Sequence, residues 1–382
     1  MNKVKLGDVV VIKGGGTPDK SVAEYWGGTI PWASVKDFKS TEISTTLDSI
    51  TQLGVANSAT NIIPAGSIIV PTRMAVGKVA INLIDLAINQ DLKALFPKSN
   101  IVTRYLLHVF LANSSKLEKQ AYGATVRGIT LDILKDFEIP LPPLEEQKRI
   151  AEILDRASSL ISKRKDAIVK LDTLTQSIFI EMFGDPATNS KHWEQKIIKD
   201  IGEVITGNTP SRANLEFYGT AVEWIKSDNI NTPHYYLTQA EEGLSELGKT
   251  VARIAPSGSI LVTCIAGSPS CIGNAAIVDR EVAFNQQINA LVPYKDDVNF
   301  LFVQILIAKK LIQNASTASM KGMVNKSKFE QIELLSPPLP LQKEFSQRVE
   351  VVEELKTTHR ASLTELQALF ASLQHRAFRG EL

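Results

Sequence analysis

The feature that most constrains this chain is that much of it is written twice. Thr17-Pro18 returns as Thr209-Pro210, then Tyr25-Trp26-Gly27 as Phe217-Tyr218-Gly219 and Ile30-Pro31-Trp32 as Val222-Glu223-Trp224, all at one constant offset. At the same offset, Ile63-Pro64-Ala65-Gly66-Ser67-Ile68-Ile69-Val70 answers Ala255-Pro256-Ser257-Gly258-Ser259-Ile260-Leu261-Val262. After small shifts, Ala87-Ile88-Asn89-Gln90 answers Ala283-Phe284-Asn285-Gln286, and Leu141-Pro142-Pro143-Leu144 answers Ser336-Pro337-Pro338-Leu339. A period near half of a 382-residue chain is too long for a stacking solenoid unit, so each copy is expected to be a whole folded module.

Within each copy the texture changes once. The first part is rich in Gly, Pro and Thr, with short apolar runs such as Val9 to Ile12 and Ser67 to Val70 bounded by turn residues, a pattern of short strands. Apolar stretches from Val102 to Leu111 and from Phe300 to Leu311 predict helices packed on the sheet. After the Pro pairs, Leu144 to Phe183 contains neither Pro nor Gly, and apolar residues recur at Ile150, Ile153, Leu154, Ala157, Leu160, Ile161, Ile168, Leu171, Leu174, Ile178 and Met182. Leu341 to Phe378 repeats that spacing with Phe345, Val349, Val352, Leu355, Leu363, Leu366, Leu369, Leu373 and Ala377. Pro just ahead of a helix loses little, Glu145 and Glu146 suit the helix dipole, and Gly184-Asp185-Pro186 stops the first helix.

Two long helices with one apolar seam each are expected to pair with each other. Each would be on the order of 55 Å long at ~1.5 Å per residue. If the second module is compact with its ends close together, the second helix starts near where the first stops, and the pair is antiparallel. The predicted fold is α+β: two similar, strand-rich globular domains at residues 1–143 and 185–338, separated by long helices at 144–184 and 339–382 that form an antiparallel coiled coil with a pseudo-two-fold axis. Arg164 and His359 occupy matching seam positions near the middle of each helix. They are read either as polar residues that fix register or as solvated residues at the seam edge.

Composition removes several classes of function. With 44% hydrophobic and 22% charged residues the chain can bury cores, and no apolar run approaches the roughly 18 residues of a membrane span. The start MNKVKLGDVV lacks the apolar core of a secretory signal, so a cytoplasmic protein without membrane partners is expected. Cys264 and Cys271 have no nearby His and read as ordinary buried or half-buried thiols. Gly14-Gly15-Gly16 reads as a turn, because the spacing and following helix of a dinucleotide site are missing. The five histidines form no pair at metal-ligand spacing, the Asn-Pro-Pro-aromatic motif of amino-methyltransferases is absent, and no carboxylate pair stands out. No catalytic residue, metal site or cofactor is therefore assigned to this chain.

The stretch Gly123-Ala124-Thr125-Val126-Arg127-Gly128-Ile129-Thr130, leading into Ile139-Pro140-Leu141-Pro142-Pro143-Leu144-Glu145-Glu146-Gln147, resembles the signature of the specificity subunits of type I restriction-modification systems. The resemblance covers essentially the whole chain: domain, long helix, domain, long helix. It implies that each globule is a target recognition domain reading one half of a split double-stranded DNA sequence, with the helices as a ruler for the gap. It also implies separate methyltransferase subunits docked on the helices and supplying S-adenosylmethionine chemistry, and a translocase-nuclease subunit that uses ATP where one is present. The second copy departs from the motif, with Ser319-Met320-Lys321-Gly322-Met323-Val324 for the Thr-containing form and Ser336 for Leu141.

Net charge does not carry DNA binding here. Residues 1–143 hold 15 basic and 12 acidic side chains, and residues 185–340 hold 14 and 16, so the contacts fall to local loops. Equivalent loops of the two copies are the candidates. After the shared Trp these are Ser34, Lys36 and Asp37, beside Lys226, Ser227, Asp228 and Asn229. After the shared strand they are Thr72, Arg73 and Lys78, beside Thr263 and Ser268. Ahead of the long helix they are Thr125 and Arg127, beside Ser319 and Lys321. The plain alternative for each is a solvated or turn-capping side chain, and Trp32 and Trp224 read as core rather than as base-stacking platforms. Two rival functions remain: a double-headed scaffold that binds proteins and no DNA, and a self-sufficient modification enzyme, against which the missing motif argues.

Arg73 is the strongest candidate for base contact in the first domain, since an Arg ending a strand can address guanine bidentately. Replacing it with Ala is expected to cost about 1–3 kcal/mol against a single base pair, read by comparing affinities for single-substitution targets; unchanged affinity and preference would remove Arg73 from the set.

Overall fold

A computed structural model describes residues 2–123, 127–232, 234–316 and 322–382 of the chain. Two compact units emerge, and neither is a contiguous segment: the first is Met1–Lys165 with Ala361–Leu382, the second Asp166–Arg360. Each unit thus takes in part of both long helices, whereas the expected division set the helices apart at 144–184 and 339–382.

The first unit holds a five-stranded sheet in the order Val10–Gly14, Leu92–Pro97, Ile68–Pro71, Ala80–Asn82, Glu42–Ile43, antiparallel except for its last pair. Beside it a four-stranded sheet runs Asp48–Ile50, Trp26–Ala33, Leu86–Ile88, Ile62–Ile63, with Trp26–Ala33 parallel to Leu86–Ile88. The second unit repeats both, the larger one with four strands in place of five. One sheet is Gly202–Thr206, Ile288–Pro293, Ile260–Thr263, Ala275–Ile277; the other is Gly243–Leu244, Tyr218–Ile225, Val282–Phe284, Ile254–Ala255. The strand runs read from Val9 to Ile12 and from Ser67 to Val70 fall on the first sheet, and the apolar stretch Val102 to Leu111 becomes the helix Thr103–Ala112. Its counterpart is the helix Val298–Ile307, after which a separate turn of helix, Lys309–Asn314, begins.

The long helices run Leu144–Phe183 and Leu339–Arg379. Gly184 ends the first with φ +80°, a left-handed value that glycine adopts without a Cβ penalty, and its amide donates to Ile180 O at 2.8 Å. In the first unit, Ile150, Ala151 and Leu154 of the first helix share a core with Phe370, Leu373, Ala377 and Phe378 of the second, against Tyr105 and Phe110 of the globule. In the second unit, Phe179 and Phe183 share a core with Phe345 and Val349, against Phe300. The opening of each helix therefore meets the close of the other, the pairing of an antiparallel helix pair. The seam is narrower than the spacing predicts: Leu160, Leu174, Leu355 and Leu369 are exposed, because the ends of the helices turn their apolar stripes to the globules and not only to each other.

A buried glutamine anchors each helix start to its globule. Gln147 accepts the Val102 amide at 2.8 Å and donates to Asn100 O and Pro142 O at 3.1 and 2.8 Å. Gln342 accepts the Asp297 amide at 2.9 Å and donates to Asp296 Oδ1 and Pro337 O at 2.8 and 2.9 Å. One side chain thus satisfies both the strand-to-helix crossover and the Pro pair, which gives the Leu-Pro-Pro-Leu-Glu-Glu-Gln motif its physical role.

The buried charge described on the helix pair belongs to neither of the two residues expected at the seam. Arg164 and His359 are half-buried and engaged. Lys356 is fully enclosed: its ammonium lies 2.6 Å from Asp172 on the first helix, bonds Glu353, and sits 4.1 Å from the centre of the Tyr235 ring. A buried cation with one carboxylate on the facing helix disfavours a slipped register, since slippage would strand the charge. In the first unit the polar tie is His108, buried on the helix Thr103–Ala112, with Nε2 2.8 Å from Asp155 Oδ1 of the long helix. Its Nδ1 is buried without a partner, so protonating it would bury an unpaired donor; burial holds the imidazole below its ordinary pKa despite the Asp155 carboxylate.

Truncating Phe179→Ala, which removes a ring packed 5.6 Å from Phe300 and 5.5 Å from Phe345, is expected to lower stability by about 3–5 kcal/mol in denaturant titration. For His108 the folded pKa is depressed, so the unfolded chain takes the proton first as pH falls below about 6.5, and stability declines with acidification through that window. The urea midpoint of His108→Gln is expected to fall less than that of the wild type between pH 7.5 and 5.5.

Candidate nucleic-acid interface

The loops selected from the repeat converge, in each unit, on one turn. In the first unit this turn is Asn89-Gln90-Asp91, between strands Leu86–Ile88 and Leu92–Pro97. The Asn89 side chain accepts the Asp91 amide at 3.1 Å, the local bond that bends the chain back. The Asn89 amide donates to Ala33 O at 3.0 Å, at the head of the loop after Trp32. The Thr72 amide and hydroxyl both donate to Asp91 O, at 2.8 and 3.0 Å, docking the loop after Ile68–Pro71. The third loop is stitched to the second: Arg73 and Tyr122 both bridge to Gly128, Ile129 donates to Thr72 O at 2.9 Å, and Met74 donates to Arg127 O at 3.1 Å.

The second unit builds the same frame from different side chains. The Asn285 side chain accepts the Gln287 amide at 3.1 Å, the Asn285 amide donates to Ile225 O at 3.0 Å, and the amides of Cys264 and Ile265 donate to Gln287 O at 2.8 and 3.0 Å. Ile265 bridges to Met323, and Val324 donates to Cys264 O at 2.9 Å. Cys264 therefore stands where Thr72 does and Ile265 where Arg73 does, at the constant offset of the repeat. The loop that follows is four residues longer in the second unit, closing at Gly273 (φ +83°) where the first closes at Gly77 (φ +94°).

The glycine triplet lies against the turn. A Cβ on Gly15 would stand 2.0 Å from Ile88 O, and one on Gly207 would stand 2.2 Å from Asn285 O, so close backbone approach, not phosphate, requires glycine there. Trp32 Nε1 donates to Gly16 O at 3.0 Å and Trp224 Nε1 to Asn208 O at 3.3 Å; both indoles are buried core, as the sequence suggests.

Five candidates prove to be parts of the frame. Ser34 and Asp37 are buried in a capping box: the Ser34 amide donates to Asp37 Oδ2 at 2.8 Å, and Asp37 Oδ1 accepts the Leu47 amide at 2.8 Å. Thr72 is buried on the turn carbonyl. Asn229, buried, accepts the Lys226 amide at 3.0 Å and donates to Thr238 Oγ1 and Gln239 O at 3.3 and 3.1 Å. Thr263 is fully buried, with its amide on Asn274 O at 2.8 Å. Polar groups so enclosed shape the loops and present nothing to solvent.

The other candidates reach the surface. Lys36 and Asp228 are exposed. Arg73 is exposed, its guanidinium 3.9 Å from Asp91. Lys78 donates to Phe38 O at 3.3 Å and so ties the second loop to the first, and Arg127 is exposed while donating to Ala121 O at 3.1 Å. Ser227 donates to Gln287 Oε1 at 3.4 Å, and the Ser268 and Ser270 hydroxyls are 2.7 Å apart. Lys226 lies 2.8 Å from Glu242 and 5.4 Å from the centre of the Trp224 ring. Its bond to Glu242, joined by that of Arg212, holds the Glu242 carboxyl below its ordinary pKa, so the Lys226 charge is largely compensated. Thr125, Ser319 and Lys321 lie outside the described residues.

Sequence reasoning missed Gln90 and Gln286. Each is exposed at the tip of its turn, with its side-chain oxygen taking the hydroxyl of Thr17 or Thr209. The signal was present, because Thr17-Pro18 and Asn89-Gln90 are both repeated, but nothing local places those segments side by side. Among the described residues no group of three metal-ligating side chains occurs, and no helix is long and apolar enough to cross a membrane. Cys264 is buried and its thiol is pushed up to about 12 by that burial, which makes it inert as a nucleophile; Cys271 is half-buried.

The family model described as type I restriction modification DNA specificity domain matches residues 1–170 and 190–368. The MjaIX specificity subunit of Methanocaldococcus jannaschii is 31% identical over 59% of this chain and 57% of its own length. The EcoR124I/EcoR124II specificity subunit of Escherichia coli is 38% identical over 45% of this chain and 41% of its own length, so the chain matches about half the length of these relatives. Among solved structures, the S subunit of the type I restriction-modification system from M. genitalium shares the fold at a TM-score of 0.58 and 14% identity, covering 99% of this chain and 96% of that one. A chain from a structure of type I restriction-modification complex assembly and conformational transition gives 0.58 at 17% identity, covering 100% and 98%. With the family model covering both copies, and with both copies built on one frame, the chain belongs to the type I restriction-modification DNA specificity family.

Proposed function

We propose that this chain is the DNA-reading, non-catalytic subunit of a type I restriction-modification complex, each unit reading one half of a bipartite target while the helix pair sets the gap between the halves. The observation that carries the reading is the contrast between frame and display. Both units dock two loops on an Asn-initiated turn and a third on the second of these through matching backbone hydrogen bonds, yet one displays Arg73, Met74 and Arg127 where the other has Ile265, Ala266 and Gly322. A common frame with unlike surfaces is what two readers of unlike half-sites require, since base-edge contacts specify while the rest positions.

The family membership supports partners of two kinds. Methyltransferase subunits would dock along the helices and bring S-adenosylmethionine; a translocase-nuclease subunit, where present, would bring ATP. This chain would contribute the placement of the duplex. The surface charges suit that role: cations are grouped locally at Arg73, Lys78 and Arg127, while much of the second unit's charge is internally compensated, as at Arg280, which bonds Glu223 through two nitrogens at 2.7 and 2.8 Å. Recognition then rests on local loops in a complex whose affinity is shared with its partners.

The test is methylation mapping of the complex reconstituted with its methyltransferase subunits. Inserting or deleting one heptad within Leu144–Phe183 is expected to change the spacer between half-sites and leave the half-site bases alone. Changed bases with an unchanged spacer would refute the ruler, and absence of sequence-selective methylation by the wild-type complex would refute the reading as a whole.

A further inference from the structure

Among the described residues only three other than glycine have a left-handed backbone: Met74, Asn189 and His192. Asn and His tolerate that region better than most residues; an unbranched Met gains nothing there and carries the strain of φ +62°. The surroundings hold it in place. The Met74 amide donates to Arg127 O, the Ala75 amide to Arg73 O at 2.7 Å and the Lys78 amide to Ala75 O at 3.1 Å, while Arg73 is bridged to Gly128. The side chain so fixed is not packed into the core. It is 60% exposed; the Met74 amide is held on Arg127 O, and the adjoining Arg73, whose guanidinium lies 3.9 Å from Asp91, is bridged to Gly128 as is Tyr122, itself 59% exposed. An exposed apolar side chain on a pinned backbone, beside Arg73 and Arg127, suits a surface that meets a polyanion with apolar layers inside it, a stacked duplex.

We propose that Met74 is a wedge: in the DNA complex its side chain enters the stack at a base step beside the one that Arg73 addresses. The first unit then reads part of its half-site through the ease with which that step unstacks. This rests on the DNA-reading function above and adds a residue and a mode of recognition to it. It also predicts asymmetry, because in the second unit the corresponding Ala266 is buried and has no side chain to insert.

The experiment uses the complex with its methyltransferase subunits and duplexes of the mapped target carrying 2-aminopurine at successive steps of each half-site. Base flipping by the methyltransferase subunits is expected to raise fluorescence at the methylated adenine of each half-site; apart from that, with the wild type, the wedge rise is expected at one further step of the first unit's half-site and at none in the other. Met74→Ala and Met74→Gly are expected to abolish the rise and weaken binding roughly 10-fold, while Met74→Leu retains both. Met74→Gly relieves the backbone strain, so an unchanged or raised melting temperature separates its loss of binding from misfolding. Specific binding by the wild type without the rise, or a rise that survives in Met74→Ala, overturns the wedge and leaves the DNA-reading function standing. Weaker binding by Met74→Ala with no unstacking in the wild type also overturns it, in favour of a groove contact. Failure of the wild-type complex to bind any duplex selectively overturns the function and the wedge together.

Discussion

A helix of forty residues with an apolar stripe holds its shape in water only where the stripe is covered, and the way this chain covers it governs everything else. The stripes of the two long helices are closed against globule cores at their ends: Ile150 and Leu154 with Ala377 and Phe378 around Tyr105, Phe179 and Phe183 with Phe345 around Phe300. Each compact unit therefore contains both helices, and each is completed by a segment from far along the chain. The helices are not linkers between finished domains. They are walls of both, so the end segments that pack around Tyr105 and Phe300 belong to each unit's own stability. The buried Lys356 with Asp172, and His108 with Asp155, add polar ties to that arrangement, each costly to mispair.

The loops obey a second economy. Their backbone groups are satisfied by one another through the Asn89 and Asn285 turns, and their buried polar side chains serve the same end. Once Asp37, Thr72 and Asn229 have closed the frame, the residues displayed at the surface carry little structural duty. Arg73 can face Ile265 across the repeat without changing the fold, because the ladder contacts at both positions are made by backbone. This separation of frame from display allows one architecture to present unlike surfaces, and it follows from hydrogen-bond bookkeeping rather than from any special chemistry.

How the charges are arranged fits the same division. The chain's near-neutral balance hides a difference between units: the first leaves Arg73, Lys78 and Arg127 at the surface of its loops, while the second pairs Lys226 and Arg212 with Glu242 and Arg280 with Glu223. A net charge computed over either unit would not reveal which is which.

The long helices were legible in the chain itself. The first occupies Leu144–Phe183 as the run without Pro or Gly indicates, and Gly184 ends it, because periodicity, capping and helix-stopping residues act within a few positions of one another. The duplication and its strands were legible for the same reason. What only the tertiary structure decided is which polar residues are enclosed and which are offered. Thr263 and Asp37 read like loop residues and are buried, Lys356 reads like a solvated helix lysine and is fully enclosed, and Gln90, one residue of a repeated stretch, stands at the tip of the turn. Each of these outcomes is set by contacts between segments remote in the chain, Ala33 with Asn89, Thr72 with Asp91, Lys356 with Asp172, and burial created by such contacts leaves no periodic mark on the residues that undergo it.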